Sequence, residues 1–163
     1  MVILGIDPGL ARTGYGFVRK NKDKSFSLIE FGCITTPSEL RFSQRLFSVY
    51  QQTRELFKTR HPDKIAIESL YFAKNTKTAF KVGQVRGVIL LASYLEKVKI
   101  EEFTPLEVKM ALTGYGRASK SQVQQMVKKF LGLKEIPKPD DAADALAVAI
   151  VCGQTLSFSK PCV

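Results

Sequence analysis

The first 34 residues read as three consecutive strands, and the first of them is apolar from Val2 to Ile6 before ending in Asp7-Pro8-Gly9. A short run of aliphatic residues closed by Pro-Gly has no polar face, so it reads as a strand covered on both sides. Gly14 to Lys20 alternates and reads as a second strand. Asn21-Lys22-Asp23-Lys24 is a polar turn, and Phe26 to Ile34 reads as a third strand, making a meander. Strands and helices then alternate. Phe42, Leu46, Val49, Tyr50 and Phe57 recur at helical spacing, giving a helix to about Arg60. Lys64–Glu68 reads as a fourth strand, 76–95 as a largely buried helix and 98–103 as a fifth strand. Pro105 opens a short helix ending before Gly114. Ser119-Lys120-Ser121-Gln122 has the capping-box pattern and opens a helix to about Leu131. Pro137 and Pro139 lead into a last helix to about Gln154. The expected fold class is α/β, a mixed five-stranded sheet flanked by helices. Residues 1–156 form one domain in this reading, and 157–163 form a loose tail.

The apolar first strand delivers one carboxylate at its mouth, an expensive place for a charge that is not solvated, paired or bound to a cation. Glu68 ends the fourth strand in the same way. Asp140, Asp141 and Asp144 cluster where the last helix begins. Asp141 and Asp144, three apart, share a helix face; Asp140 and Asp144, four apart, fit nearly as well, so spacing alone does not choose between Asp140 and Asp141. The alanines of 142–149 allow that helix to approach a sheet closely. If the first and fourth strands are neighbours, Asp7, Glu68 and the helical pair converge. Crowded carboxylates repel, and divalent cations relieve them. Oxygen-only ligands select magnesium or manganese over zinc. Two such ions about 4 Å apart activate water and stabilise the leaving oxygen in phosphodiester cleavage. Taken singly, each acid has a plainer reading: a helix cap for Asp140 or Asp141, a lysine partner for Glu68. Their conjunction in a basic chain favours the metal site.

That chain carries 25 Lys and Arg against 15 Asp and Glu, a formal charge of +10. Residues 74–134 hold 12 of the bases and 4 of the acids. The surplus points to a polyanion, nucleic acid before an acidic membrane. Lys74, Lys77, Lys81 and Arg86 follow Glu68 at roughly helical intervals and form a candidate phosphate-tracking stripe. Tyr71 and Phe72 stand between Glu68 and that stripe, where aromatics can stack on an unpaired base, although the core is the commoner fate of such residues. Lys120 opens a helix whose N-terminal N–H groups already favour phosphate. Asp7 and Pro8 interrupt the N-terminal apolar run before a signal sequence forms, and no stretch is long enough to span a bilayer. Three cysteines without metal spacing read as reduced thiols. The expected location is cytoplasmic.

These motifs resemble, in order and over nearly the whole chain, the RuvC family of bacterial Holliday junction resolvases. The resemblance is carried by Gly5-Ile6-Asp7-Pro8-Gly9 through Gly16, Ala66-Ile67-Glu68, Ala73-Lys74-Asn75, Gly83-Gln84-Val85-Arg86-Gly87-Val88, Lys120 through Gln124, and Asp141 through Ala147. It implies a ribonuclease H-like fold, a homodimer, and paired, symmetric, magnesium-dependent nicking of four-way DNA junctions in recombination and repair. Manganese is the implied substitute, with one or two ions per subunit. The resemblance assigns the acidic positions to Asp7, Glu68, Asp141 and Asp144 and leaves Asp140 as a cap. Some relatives carry histidine where this chain has Asp141, so this site is all carboxylate. It also implies functional basic residues at Lys109 and Lys120, makes Tyr71 the junction wedge, and suggests a junction-binding, branch-migrating complex as partner. Two other classes fit parts of the pattern. Asp7-Pro8-Gly9 with Thr13-Gly14 is similar to the phosphate hairpin of actin-like ATPases and sugar kinases, but 163 residues are too few for their second lobe; nucleotide-dependent thermal stabilisation would mark that class. A non-catalytic DNA-binding module explains the charge but not the gathered carboxylates, and would bind without cleaving.

Overall fold

Five strands align in the order β3-β2-β1-β4-β5, with β1 (Val2–Asp7) at the centre. The computed structural model describes residues 1–69 and 76–155, and among these the side chains of all but 76–78. β2 (Arg12–Lys20) and β3 (Phe26–Thr35) are the antiparallel meander expected from the alternation. β2 starts two residues before Gly14, because Arg12 still pairs with Thr35. β4 (Lys64–Glu68) and β5 (Lys99–Phe103) run parallel to β1 through two helical crossovers, α1 (Phe42–Arg60) and α2 (Thr76–Leu95). A central strand flanked by strands and covered on both faces has to be apolar on both faces, which is why Val2–Ile6 shows no alternation.

Strand alternation divides the core. Leu4, Ile6, Ile65 and Ile67 face α1 and α2, where Val49, Phe57, Val85, Ile89 and Ala92 complete one cluster. Ile3 and Ala66 face the other side, against α3 (Pro105–Thr113), α4 (Lys120–Phe130) and α5 (Asp140–Thr155). α5 is buried from Ala142 to Ala143 and from Ala145 to Gly153, sandwiched between the sheet and α3–α4. It lies so close to the strands that a Cβ on Gly5 would stand 1.8 Å from the Ala145 carbonyl oxygen, and one on Gly14 would stand 2.0 Å from that of Asp141. Only glycine permits this approach, and the approach brings the start of α5 to the end of β1.

One expectation is corrected here. α2 is not buried all round. Val85, Ile89, Ala92 and Ser93 are inside, while Phe80, Leu91, Tyr94 and Leu95 are 69%, 55%, 79% and 53% exposed. The helix is apolar on two faces, but this subunit covers only one of them.

Candidate active site

Register and alternation place the first two carboxylates. Ile6 pairs with Ile67 across the parallel β1–β4 ladder, so Asp7 and Glu68 follow as neighbours at the strand ends. Both isoleucines point to the α1–α2 side. The next residue on each strand therefore points the other way, toward α5. Asp141 and Asp144 stand in the first turns of α5, held against β1 and β2 by the glycine contacts. The four acids named from the sequence thus share one end of the sheet.

Their electrostatics show how closely they crowd. Asp7 is pushed up from 3.8 to about 7, by burial first and then by the charges of Asp144, Glu68 and Asp141, with Lys120 opposing. Glu68 is raised by burial and by Asp144, against Lys109 and Lys120. Asp144 is raised by burial, which outweighs its hydrogen bond and ion pair with Lys120. These are carboxylates short of countercharge. Two of them take what the chain offers. Asp144 Oδ2 lies 2.8 Å from Lys120 Nζ, and Asp141 Oδ2 lies 3.1 Å from Arg12 Nε. Drawn to separate cations, the acids do not converge on one point: among the described residues no three acidic, histidine or cysteine side chains form a ready metal cage.

Lys120 is the first residue of α4, the unfavourable end of the helix dipole for a cation. Burial works against its charge, but Asp144 and Asp140 outweigh that and hold it protonated. Ser119 fixes its position: Ser119 Oγ accepts from Gln122 N (3.2 Å), and Gln122 Oε1 accepts from Ser119 N (2.8 Å). Asp140 differs from the expected cap. It opens α5, but its carboxylate meets Lys120 Nζ at 3.4 Å and Gln124 Nε2 at 3.2 Å, so it ties α4 to α5. A cavity of about 190 Å³ lies between these elements, lined by Glu68, Lys109, Lys120 and Asp144 over an apolar floor that includes Val108 and Val148.

The remaining expected contacts divide. Lys109 faces the cavity beside Lys120. Lys81 is exposed on α2. Arg86, placed in the same stripe by spacing, is turned inward: its Nη2 lies 2.5 Å from Glu102 Oε2 on β5, and its side chain is only 16% exposed. Tyr71, Phe72 and Lys74 lie outside the described residues, as does the side chain of Lys77. Sequence reasoning missed Arg12, whose only signal was a cation five residues beyond Asp7 at the start of β2. It placed Cys33 in the third strand as a reduced thiol without a chemical role, and the structure pairs it with Gly14 in the ladder. Burial raises that thiol, Asp141 and Asp7 raise it further, and Arg12 opposes them.

A family model described as crossover junction endodeoxyribonuclease RuvC matches residues 3–152. A protein of that description from Halothermothrix orenii is 51% identical over 160 residues, covering 98% of this chain and 96% of the relative. Another, from Caldicellulosiruptor saccharolyticus, is 51% identical over 150 residues, covering 92% and 90%. Among solved structures, Thermus thermophilus RuvC superposes with a TM-score of 0.89 at 32% identity, over 97% of each chain. The same protein in complex with a Holliday junction substrate gives 0.92 at 32% identity, over 97% of this chain and 96% of that one. A yeast mitochondrial Holliday junction resolvase, 16% identical with a TM-score of 0.72, shares the fold.

Proposed function

Because this chain belongs to the RuvC family of crossover junction endodeoxyribonucleases, we propose that it resolves four-way DNA junctions by paired, symmetric phosphodiester nicks, using Asp7, Glu68, Asp141 and Asp144. The observation that carries the reading is the gathering of these acids at one end of the sheet, where burial first and then the charges of Asp144, Glu68 and Asp141 push Asp7 up to about 7. Crowding of this kind fits a divalent cation, and an all-oxygen donor set fits magnesium, with manganese as substitute. In this reading the four carboxylates hold one or two ions per subunit. Bound there, the cation supplies an activated water and charge stabilisation for the leaving oxygen.

The chain's own residues do the rest. Lys120 brings a fixed positive charge to the cavity that Glu68 and Asp144 line, where it orients a phosphate and offsets charge developing on it. Lys109 stands on the same wall. The apolar floor excludes water from beneath the reacting group. The surplus of Lys and Arg outside the site tracks the DNA arms, with Lys81 as one exposed contributor and Tyr71, Phe72, Lys74 and Lys77 as candidate junction contacts.

The same proposal includes a homodimer. Two symmetric cuts need two sites related by a two-fold axis. The exposed apolar face of α2 suits a second copy: Phe80, Leu91, Tyr94 and Leu95 need cover. Among the described residues, a Cβ on Gly87 in the same helix would meet nothing within 4 Å, so no described contact requires glycine there. A branch-migrating complex remains a proposed partner by family alone. Among the described residues no helix is long and apolar enough to cross a membrane.

The test is single-turnover cleavage of a synthetic four-way junction against linear duplex, with and without magnesium, for the native chain and five variants. Asp7→Asn, Glu68→Gln, Asp141→Asn and Asp144→Asn should each lose cleavage by about a hundredfold or more while still binding the junction. Asp140→Asn should keep cutting, since an amide can still tie α4 to α5 and Asp144 still pairs with Lys120 at 2.8 Å. Wild-type rates in the four site variants would overturn the metal-site reading. A dead Asp140→Asn beside an active Asp141→Asn would overturn the assignment within α5.

A further inference from the structure

The nuclease reading leaves Arg12 without a role, although it touches the site. Arg12 begins β2, one turn of chain after Asp7. That turn is pinned by Thr13, whose hydroxyl donates to the Gly9 carbonyl at 2.7 Å and accepts from the Gly9 N–H at 3.3 Å. Pairing of Arg12 with Thr35 fixes its backbone further. The guanidinium therefore has a rigid base. Its side chain is 51% exposed and that of Asp141 is 35% exposed. An ion pair this open to water adds little to folding, so stability does not account for it.

The partner it has taken is the significant point. Asp141 is one of four carboxylates the proposed chemistry needs for a cation, and Arg12 pairs with it as Lys120 pairs with Asp144. An oxygen turned to a guanidinium 3.1 Å away is not free to join a metal cage, in keeping with the lack of a ready cage among the described residues. Once Asp141 turns to a cation, the half-exposed guanidinium is released beside the site, at the start of β2. Its planar fork matches two oxygens of one phosphate, a geometry lysine does not supply. We propose that Arg12 alternates between two partners, holding Asp141 while the site is empty and gripping the scissile phosphate after Asp141 has taken up a divalent cation. The proposal rests on the metal-site reading of the four acids.

Two measurements on the full chain test it, and neither reads turnover. The first is Mn2+ binding without DNA, followed by the paramagnetic resonance of the free ion. Removing a competing cation should tighten binding, so Arg12→Gln should bind Mn2+ about three- to tenfold more tightly than the native chain, with Arg12→Lys close to native. Unchanged or weaker binding in Arg12→Gln would overturn the proposal. A native chain that binds no Mn2+ at millimolar concentration would overturn the metal reading itself, and this inference with it. The second is junction binding in Ca2+, using a junction whose cleaved phosphate, mapped beforehand, is replaced by an uncharged methylphosphonate. Arg12→Gln should weaken binding of the normal junction by about tenfold more than binding of the methylphosphonate junction. Equal weakening of both would mean that Arg12 never reaches the scissile phosphate, and would overturn the proposal even if Mn2+ binding tightened. Arg12→Lys should recover only part of the coupling, whereas a merely structural role would show none to recover.

Discussion

Removing the Asp7 charge should stabilise the metal-free protein, and the gain should grow with pH. In the folded chain Asp7 titrates near 7 against 3.8 for the free side chain, a rise caused first by burial and then by Asp144, Glu68 and Asp141. The folded state therefore holds this proton more tightly than the unfolded chain. Below about pH 4 both states are protonated and no penalty exists. Through the window from about 4 to 7 the unfolded chain ionises freely while the native site resists, so native stability falls as pH rises. At ~1.36 kcal/mol per pKa unit, a gap of about 3 units gives ~4 kcal/mol above pH 7 and ~1.7 kcal/mol at pH 5. Asp7→Asn keeps the shape of the side chain and has no charge to bury. Urea denaturation in EDTA should find it more stable than the native chain by up to ~4 kcal/mol at pH 8, by about half that or less at pH 5, and by almost nothing below pH 4. Magnesium should narrow the pH 8 gap by stabilising the native chain, since a ligand adds RT ln(1 + [L]/Kd) to whichever protein binds it. A difference that stays flat between pH 5 and 8, or an Asp7→Asn protein less stable at pH 8, would refute the raised titration of Asp7 and the buried, crowded setting assigned to it.

Two further outcomes follow from the packing. Gly5→Ala sets a methyl 1.8 Å from the Ala145 carbonyl oxygen, so α5 must lift off β1; the variant should lose about 3 kcal/mol in chemical denaturation and also lose cleavage, because Asp141 and Asp144 travel with the helix. Leu91→Glu puts a charge on the exposed face of α2 and should convert a dimer to a folded monomer by light scattering, with circular dichroism unchanged; a dimer that persists would place the two-fold contact elsewhere.

The parts of this molecule that were legible in the sequence are those where one residue pattern has one physical solution. An apolar run ending in Asp-Pro-Gly has to be a covered strand with a carboxylate at its mouth; that β1 pairs with β4, with Ile6 opposite Ile67, came only from the fold. Capping residues with reciprocal hydrogen bonds, Ser119 with Gln122, likewise announce a helix start. What stayed hidden depended on contacts between distant segments. Spacing put Arg86 in line with Lys81, yet Glu102, sixteen residues later, draws it into the subunit. The apolar character of α2 looked like burial because a sequence does not distinguish a face covered by its own chain from one left for another. Asp140 and Asp141 were inseparable by spacing. Tertiary packing separates them, since Gly14 admits the Asp141 backbone against β2 while Asp140 turns outward to Lys120 and Gln124.

The same distinction explains the pairing of acids with cations across the site. If the carboxylates at this sheet end hold a metal as proposed, the chain must also fold without one, and burial leaves Asp7 partly protonated near neutral pH. Lys120 and Arg12 meet the rest of the demand, one from the start of α4 and one from the start of β2. Both are largely exposed, so each releases its carboxylate at little energetic expense. A buried, tightly bonded pair in either place would have made the empty fold more secure and the metal harder to admit. In the proposed reading, the open pairing at Asp141 and the half-buried pairing at Asp144, beside a buried Asp7, leave the site accessible to a cation while letting the chain fold before it arrives.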